Sequence, residues 1–269
     1  MAIRRELLGL AVELARTAGQ RAVEMRDTAI SQVSTKSTPT DVVTAADRAV
    51  EALILDSLRQ RRPHDDVLGE ETGSHQRAAQ EAGRVRWVLD PIDGTVNYLY
   101  GIPYYGVSLA VEVEGEVVAG VVRNPVSGEE WTAVRGEGAY RQGRRLVASQ
   151  VTDLSQTLVA TGFGYQPARR AHQAQVVASL LEEVRDIRRL GAAALDLCHV
   201  AEGRVDAFYE KGLAPWDLAA GGLIAAEAGV LVTGLRGERP GALMTLAAPP
   251  SVHQKLHDRL VALDADAGP

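Results

Sequence analysis

Two strand-like runs in residues 106–123 constrain the fold more than any other feature of the sequence. The runs, GVSLAVEV and EVVAGVV, alternate in hydropathy on either side of the dipeptide Glu114-Gly115. Alternation of this kind around a glycine turn predicts a β-hairpin. Residues 130–147 show a similar pattern, which is interrupted by glycines at predicted turn positions. The middle of the chain is therefore expected to be rich in β-structure.

Helical patterns precede this β-rich segment. Apolar residues recur at spacings of three and four in residues 4–27, which predicts a helix with one buried face. The residues of that face are Leu7, Leu10, Leu14, Ala18 and Ala22. A second helix is predicted from near Thr44 to about Arg62, because Pro63 cannot continue a helix. A short apolar strand is expected at residues 85–90.

Strand and helix patterns alternate in the second half of the chain. The predicted elements are strands at 157–162 and 205–210 and helices at 168–184, 191–202 and 216–228. The composition also changes near residue 150, which indicates a domain boundary. We therefore predict an N-terminal half, residues 1–150, and a C-terminal half, residues 151–269.

The charge and the cysteine content weigh against several classes of partner. The 269 residues include 29 basic and 35 acidic side chains, which gives a net charge of −6. This balance gives no electrostatic reason to expect nucleic acid or a membrane surface as a partner. A single cysteine, Cys198, permits no intrachain disulfide and fits the reducing cytoplasm. Glu13 interrupts the apolar run near the N-terminus, which favours an amphipathic helix over a signal peptide.

The hexapeptide DPIDGT at 90–95 is the clearest chemical signal. An apolar strand leads into Asp90, and Asp93 follows three residues later, so a tight turn can bring both carboxylates to one point. Gly94 permits close approach of the backbone, and Thr95 adds a hydroxyl where a helix could begin. Hard divalent cations prefer such oxygen ligands, and phosphate prefers the N–H groups of a helix N-terminus. An aspartate-rich β-turn is the alternative, since the same residue types favour turns.

Three other motifs contain acidic residues, and each also has an ordinary structural explanation. GEET at 69–72 could be a solvated acidic turn. TAAD at 44–47 is typical of a helix capping box. Asp217, in WDLAAG at 216–221, could simply lie at the start of a helix, where acidic side chains are favoured. These explanations do not account for the occurrence of all three motifs together with DPIDGT.

With these motifs the chain resembles the inositol monophosphatases, which are magnesium-dependent, lithium-sensitive phosphatases of sugar and inositol phosphates. The motifs are WVLDPIDGTVNY at 87–98, GEET at 69–72, DVVTAAD at 41–47 and WDLAAGGLIAAEAG at 216–229. They occur in the family's order and at its spacing, and the similarity extends from about residue 4 to about residue 262. The resemblance implies an α/β fold, a layered α+β sandwich with two sheets and flanking helices, and a homodimer.

The resemblance also implies metal ligands and catalytic groups. The ligands of a first Mg²⁺ would be Glu70, Asp90 and the carbonyl oxygen of Ile92. The ligands of a second Mg²⁺ would be Asp90, Asp93 and Asp217, and a third, weaker ion would lie near Glu70. The groups that orient and deprotonate the attacking water would be Asp47, Glu70 and Thr95. Two ions about 4 Å apart can hold both the attacking and the leaving oxygen of an in-line displacement.

Other positions resemble the family's substrate pocket. The substrate contacts so implied are Glu70, Ile92, Asp93, Gly94, Thr95, Gly191, Ala192, Ala193, Glu210 and Asp217. Among them, the N–H groups of Gly94 and Thr95 would hold the phosphate, and Glu210 would contact substrate hydroxyls. Lys36 falls in the family's mobile catalytic loop. Ala192 departs from the family's usual Ser or Thr, and the lost hydroxyl removes a potential hydrogen bond of about 0.5–1.5 kcal/mol.

The expected function is Mg²⁺-dependent hydrolysis of a small phosphate ester, with myo-inositol 1-phosphate as the first choice. We expect no phospho-enzyme and no catalytic Cys or His. Relatives within the family act on histidinol phosphate, fructose 1,6-bisphosphate or adenosine 3′,5′-bisphosphate, and these substrates remain alternatives. A binding protein is the alternative from a different class, because some bacterial members resemble scaffolds of transcription complexes. Its only support in the sequence is the group Arg185, Arg188 and Arg189.

Overall fold

The computed structural model describes residues 2–29, 33–35, 42–75 and 84–268. Lys36 and Asp41, named in the sequence analysis, lie outside the described residues. The helices of the described residues are α1 (Ala2–Ala29), α2 (Ala45–Arg61), α3 (Thr95–Tyr100), α4 (Pro167–Leu181), α5 (Ala193–Glu202), α6 (Pro215–Glu227) and α7 (Pro250–Ala262). None of them combines the length and the hydropathy that crossing a membrane requires.

The first half of the chain forms one large sheet. Its strands are β3 (Asp66–Gly69), β4 (Gly73–His75), β5 (Val85–Asp93), β6 (Gly106–Val113), β7 (Glu116–Arg123), β8 (Glu130–Val134), β9 (Gly138–Arg141) and β10 (Arg144–Arg145). Their order is β10-β9-β8-β7-β6-β5-β3-β4. The preceding strands β1 (Val33–Thr35) and β2 (Val42–Thr44) form a separate antiparallel pair.

Two details of this sheet position acidic residues. Strands β3 and β5 are parallel, and their register, extended by one residue, sets Glu70 beside Asp90 where β3 ends. The pairing of β5 with β6 is irregular between Asp90 and Asp93. Pro91 has no N–H group to donate to the neighbouring strand, which explains the irregularity. The chain therefore turns out of regular pairing at the segment that contains both aspartates.

The second half of the chain forms a smaller sheet. Its strands are β11 (Leu158–Thr161), β12 (Asp186–Arg188), β13 (Ala207–Glu210), β14 (Leu231–Thr233) and β15 (Thr245–Ala248). Their order is β12-β11-β13-β15-β14. Strand β11 is parallel to both of its neighbours, whereas β15 is antiparallel to β13 and to β14.

Three hydrophobic clusters arrange helices and sheets in five layers. Helices α1 and α2 cover one face of the large sheet, in a cluster that contains Trp87. The opposite face packs on α5 and α6, and this cluster includes Trp131 as well as Phe208 of the small sheet. Helices α4 and α7 cover the other face of the small sheet through Val176 and Leu256. The molecule is thus the layered α/β sandwich that the resemblance implied.

Several predicted elements are confirmed, and others were missed. The hairpin at 106–123 and the two N-terminal helices are present, although Leu10 is only partly buried. The strand predicted at 85–90 extends to Asp93. The sequence analysis named Thr95 as a possible helix start, where α3 begins, but it did not assign α7, β3, β4, β12, β14 or β15. The boundary near residue 150 stays a prediction. Helix α6 of the second half packs on the large sheet of the first half.

Candidate active site

Ten residues predicted for the site line one cleft of about 200 Å³. They are Glu70, Asp90, Ile92, Asp93, Gly94, Thr95, Gly191, Ala193, Glu210 and Asp217. The other two predicted residues lie just outside the cleft wall. Asp47 accepts a hydrogen bond from Thr95, and Ala192 is 2% exposed and packs closely against Gly94. Segments that are far apart in the sequence therefore meet at this cleft.

Three aspartates form a compact cluster in the cleft. One carboxylate oxygen of each of Asp90, Asp93 and Asp217 lies within 4.8 Å of the other two. Asp90 is 2% exposed and Asp93 is 7% exposed. The N–H group of Ile92 donates to Oδ1 of Asp90 at 3.0 Å. Clustered carboxylate oxygens suit a hard divalent cation, whereas buried carboxylates without a cation are unfavourable. This donor set fits Mg²⁺.

The first turns of two helices hold the other two carboxylates of the cluster. The N–H groups of Ala193 and Ala194, where α5 begins, donate to the two carboxylate oxygens of Asp93 at 3.1 and 2.8 Å. Asp217 lies in the first turn of α6, and its Oδ2 accepts from the N–H group of Ala214 at 2.7 Å. The first N–H groups of a helix have no partner within the helix, so they are available as donors. These bonds fix the direction of both carboxylates.

Burial and mutual repulsion raise the pKa values of the clustered carboxyl groups. Burial is the largest cause that raises the pKa of Asp90 well above its usual range, and the charges of Glu70, Asp93 and Asp217 add to it. Burial also raises the pKa of Asp93 to about 7, although hydrogen bonds from α5 N–H groups oppose the rise. A nearby cation would favour the charged forms. A bound cation would therefore relieve the repulsion between these carboxylates and lower their pKa values.

We expect the metal-free protein to lose stability as the cluster ionises. The pKa of Asp93 is raised from its ordinary value of 3.8 to about 7. A carboxyl group with a raised pKa contributes stability that is fully present below its ordinary pKa and is lost as the pH rises through the folded value. Thermal denaturation in EDTA, at pH values from about 4 to above 7, measures this loss of stability. Comparing the pH dependence of the melting temperature with that of Asp93→Asn separates the contribution of Asp93 from those of other titrating groups. Added Mg²⁺ should raise the melting temperature more above pH 7 than below pH 4, and a uniform effect would contradict this origin.

A threonine and a buried aspartate adjoin the cluster. Oγ1 of Thr95 lies 3.1 Å from both Oδ1 of Asp47 and the carbonyl oxygen of Ile92. The N–H group and the hydroxyl of Thr44 donate to Oδ2 of Asp47 at 2.8 and 2.6 Å. Burial is the largest cause that raises the pKa of Asp47, and the charge of Glu70 also raises it. Asp47 thus takes part in the capping box of α2 and also contacts the hydroxyl of Thr95.

Gly94 allows the two sides of the cleft to approach each other. Its φ angle is +93°, in the left-handed region that favours glycine. A Cβ atom at this position would also lie 3.1 Å from Cβ of Ala192 and from the carbonyl oxygen of Gly191. Any larger residue would therefore push the turn at 191–192 away from the DPIDGT segment.

Glu210 lies at the end of β13, on the side of the small sheet. Its carboxylate packs so closely against Gly162 that no Cβ atom would fit there. Burial is the largest cause that raises the pKa of Glu210 well above its usual range, with contributions from Asp196 and Asp217, whereas Arg189 lowers it. A glutamate that retains its proton can donate a hydrogen bond to a substrate hydroxyl, and an ionised one can accept.

Two residues that shape the site were not singled out from the sequence. The side-chain amide of Asn97 donates to the carbonyl oxygen of Leu190 at 2.8 Å, which ties α3 to the turn before α5. The carboxylate of Glu51 accepts hydrogen bonds from the turn at 70–72. The sequence contains a clue to the role of each residue. Asn97 belongs to the motif at 87–98, and Glu51 lies one helical turn after Asp47.

The three arginines that supported a binding role have different surroundings. Arg185 donates to the backbone and side chain of Gln156. Arg188 forms an ion pair with Asp186 at 2.6 Å. Arg189 instead lines the cleft. Two of the three are thus engaged within the chain, and the third belongs to the candidate active site.

Comparison with known proteins identifies the family. The sequence profile of the inositol monophosphatase family matches residues 3–266. The chain belongs to this family. An inositol-1-monophosphatase of Mycobacterium leprae (strain TN) is 48% identical over 231 residues, which are 83% of this chain and 79% of that protein. The Nus factor SuhB of Escherichia coli (strain K12) is 40% identical over 232 residues, 86% of each protein.

Solved structures agree with this assignment. The extragenic suppressor protein SuhB from Bartonella henselae superposes with a TM-score of 0.87 at 36% identity, over 95% of this chain and 98% of that one. The resemblance stated from the sequence and the predicted α/β fold are both confirmed. Membership of the inositol monophosphatase family supports phosphoric monoester hydrolase activity. The family is generally Mg²⁺-dependent, which agrees with the acidic cluster in the cleft.

Proposed function

We propose that this inositol monophosphatase family member hydrolyses a phosphate monoester with Mg²⁺, and that myo-inositol 1-phosphate is its preferred substrate. The observation that best supports the proposal is the aspartate cluster in a cleft that also contains Thr95, hydrogen-bonded to Asp47. A cluster of ligands next to a hydroxyl with a defined proton acceptor is the arrangement that hydrolysis by water requires.

The metal ligands would be the carboxylates of the cleft. We assign Glu70, Asp90 and the carbonyl oxygen of Ile92 to a first ion, and Asp90, Asp93 and Asp217 to a second. A third, weaker ion would lie near Glu70. Bound Mg²⁺ would neutralise the phosphate and lower the pKa of a bound water. All of these ligands are oxygen atoms, which agrees with the preference of Mg²⁺.

Thr95 would relay a proton from the attacking water to Asp47. The hydroxyl of Thr95 has one proton, and an ionised Asp47 can only accept it. As Oγ1 accepts a proton from the water, the hydroxyl's own proton would move to Asp47, so Thr95 stays neutral and the carboxylate ends protonated. Glu70, also in the cleft wall, would orient the same water.

The remaining residues of the cleft would bind the substrate. The N–H groups of Gly94 and Thr95 would donate to phosphate oxygens, and Glu210 would contact hydroxyls of the organic group. Gly191 and Ala193 would form the wall next to that group. Ala192 would act indirectly, because it packs behind Gly94 rather than lining the cleft.

The name of the Mycobacterium leprae relative, inositol-1-monophosphatase, favours the inositol ester as substrate. We test this by phosphate release from myo-inositol 1-phosphate, histidinol phosphate, fructose 1,6-bisphosphate and adenosine 3′,5′-bisphosphate. Each ester is assayed with Mg²⁺, without Mg²⁺ and with added Li⁺. We expect Mg²⁺-dependent, Li⁺-sensitive turnover that is fastest with the inositol ester. Preference for another ester would preserve the reaction and correct the substrate, and no turnover of any ester would reject the proposal.

A second candidate function is binding to a transcription complex, because the Escherichia coli relative is named a Nus factor. The two functions separate in Asp93→Asn, which removes one charge from the aspartate cluster. A pull-down of a partner that survives this substitution would support the binding function.

We also propose that the chain acts as a homodimer in the cytoplasm, and light scattering would measure its mass.

A further inference from the structure

We propose that Glu51 is a positioning residue that fixes Glu70 relative to Thr95, an inference that rests on the function proposed above. Glu51 lies in α2, is 0% exposed and is not among the residues that line the cleft. Any effect of this carboxylate on the reaction must therefore pass through the residues that it contacts.

The turn after β3 donates three hydrogen bonds to Glu51. The N–H group of Glu71 donates at 2.9 Å and that of Thr72 at 2.8 Å, and the Thr72 hydroxyl donates as well. On the other side of Glu70, a Cβ atom at Gly69 would lie 2.6 Å from Oε1 of Glu51. The carboxylate thus accepts hydrogen bonds from the backbone after Glu70 and packs directly against Gly69 before it. A buried carboxylate needs such donors, so the contact constrains the turn strongly.

The same helix face also contacts Thr95. Asp47 and Glu51 are four residues apart in α2, so their side chains lie on one face of the helix. Asp47 accepts from the Thr95 hydroxyl at 3.1 Å. Asp47, which contacts Thr95, is therefore one helical turn away from Glu51, which contacts the loop that contains Glu70. Helix α2 sets the spacing of the two groups proposed to orient and deprotonate the attacking water, and such spacing strongly affects rate.

Glu51→Gln tests the inference with little change of shape. The new amide nitrogen cannot accept a hydrogen bond, so at least one donor of the turn loses its partner. Mn²⁺ serves as the calorimetric probe of the proposed Mg²⁺ site. We expect its affinity to fall about 10- to 100-fold, the usual effect of losing a residue that supports a metal ligand. The kcat should fall while KM for myo-inositol 1-phosphate changes little. Amide hydrogen exchange at Glu71 and Thr72 should become faster.

Glu130→Gln is the matched control. Glu130 is 7% exposed and pairs with Arg16 at 2.8 Å and with Arg123 at 3.1 Å, outside the cleft. Its substitution should lower the melting temperature without changing Mn²⁺ affinity. If Glu51→Gln behaves in the same way, Glu51 has only a structural role and the inference is overturned.

Two further comparisons keep the test decisive. If Glu51→Gln does not fold, Thr72→Val removes one of the three donors, and we expect a smaller fall in Mn²⁺ affinity, whereas unchanged affinity would overturn the inference. A wild-type protein that binds Mn²⁺ but hydrolyses no ester would reject the proposed function alone, since the Mn²⁺ comparison would still test the position of Glu70. A wild-type protein that binds no Mn²⁺ would overturn both.

Discussion

Asp93→Asn should lose nearly all phosphate release, with kcat lowered by more than about 100-fold. Loss of a residue that only supports a metal ligand typically costs about 10- to 100-fold, and loss of a proposed ligand should cost more. Both carboxylate oxygens of Asp93 accept N–H groups, from Ala193 and Ala194. Asparagine has one oxygen, so its amide nitrogen would face a donor instead. The substitution therefore removes a charge from the cluster and also disturbs the contact with α5. Phosphate release at saturating Mg²⁺ and calorimetric Mn²⁺ titration measure the two effects.

Asp66→Asn provides a control for the loss of a buried aspartate. Asp66 is 3% exposed, and its carboxylate pairs with Arg84 rather than lining the cleft. We expect this variant to melt at a lower temperature and to retain kcat and Mn²⁺ affinity close to wild type. Full activity in Asp93→Asn, or an equal loss in both variants, would show that Asp93 has no special part in the reaction.

The local part of the site could be predicted from the sequence, whereas its assembly could not. The spacing of Asp90 and Asp93 indicates a turn with two convergent carboxylates, and the structure has that turn. Asp217 lies more than a hundred residues later, and no periodicity places it beside them. Only the resemblance to a family brought the three together. The bonds from Ala193 and Ala194 to Asp93 are likewise tertiary contacts, which helix propensity cannot predict.

The missed elements have different physical causes. Strands β12 and β14 have three residues each, too few to show an alternating pattern. Helix α7 is different, because Val252, Leu256 and Leu260 recur every four residues and are all buried. Its pattern was present in the sequence and was not assigned. Glu51 was missed because a glutamate in a helix resembles a solvated residue until its tertiary partners are known.

Thr95→Ala should lower kcat by about 100- to 10,000-fold, the contribution typical of a positioned proton acceptor. The KM for myo-inositol 1-phosphate should stay nearly unchanged. The hydroxyl of Thr95 contacts Asp47 and the carbonyl oxygen of Ile92, and we propose that it acts on the water and not on the organic group. Loss of an interaction that forms only in the transition state lowers kcat and leaves KM unaffected. Steady-state kinetics at saturating Mg²⁺ separate the two constants.

Two variants distinguish the hydroxyl from the shape of the side chain. Thr95→Ser keeps the oxygen that Asp47 orients, so it should retain most of the activity. Asp47→Asn keeps the hydroxyl but offers it an amide in place of a carboxylate, so kcat should fall and Mn²⁺ affinity should change little. If Thr95→Ala instead raises KM alone, or if serine restores nothing, Thr95 binds substrate or supports the start of α3. In that case Glu70, the other group of the cleft proposed to act on the water, would have to receive its proton.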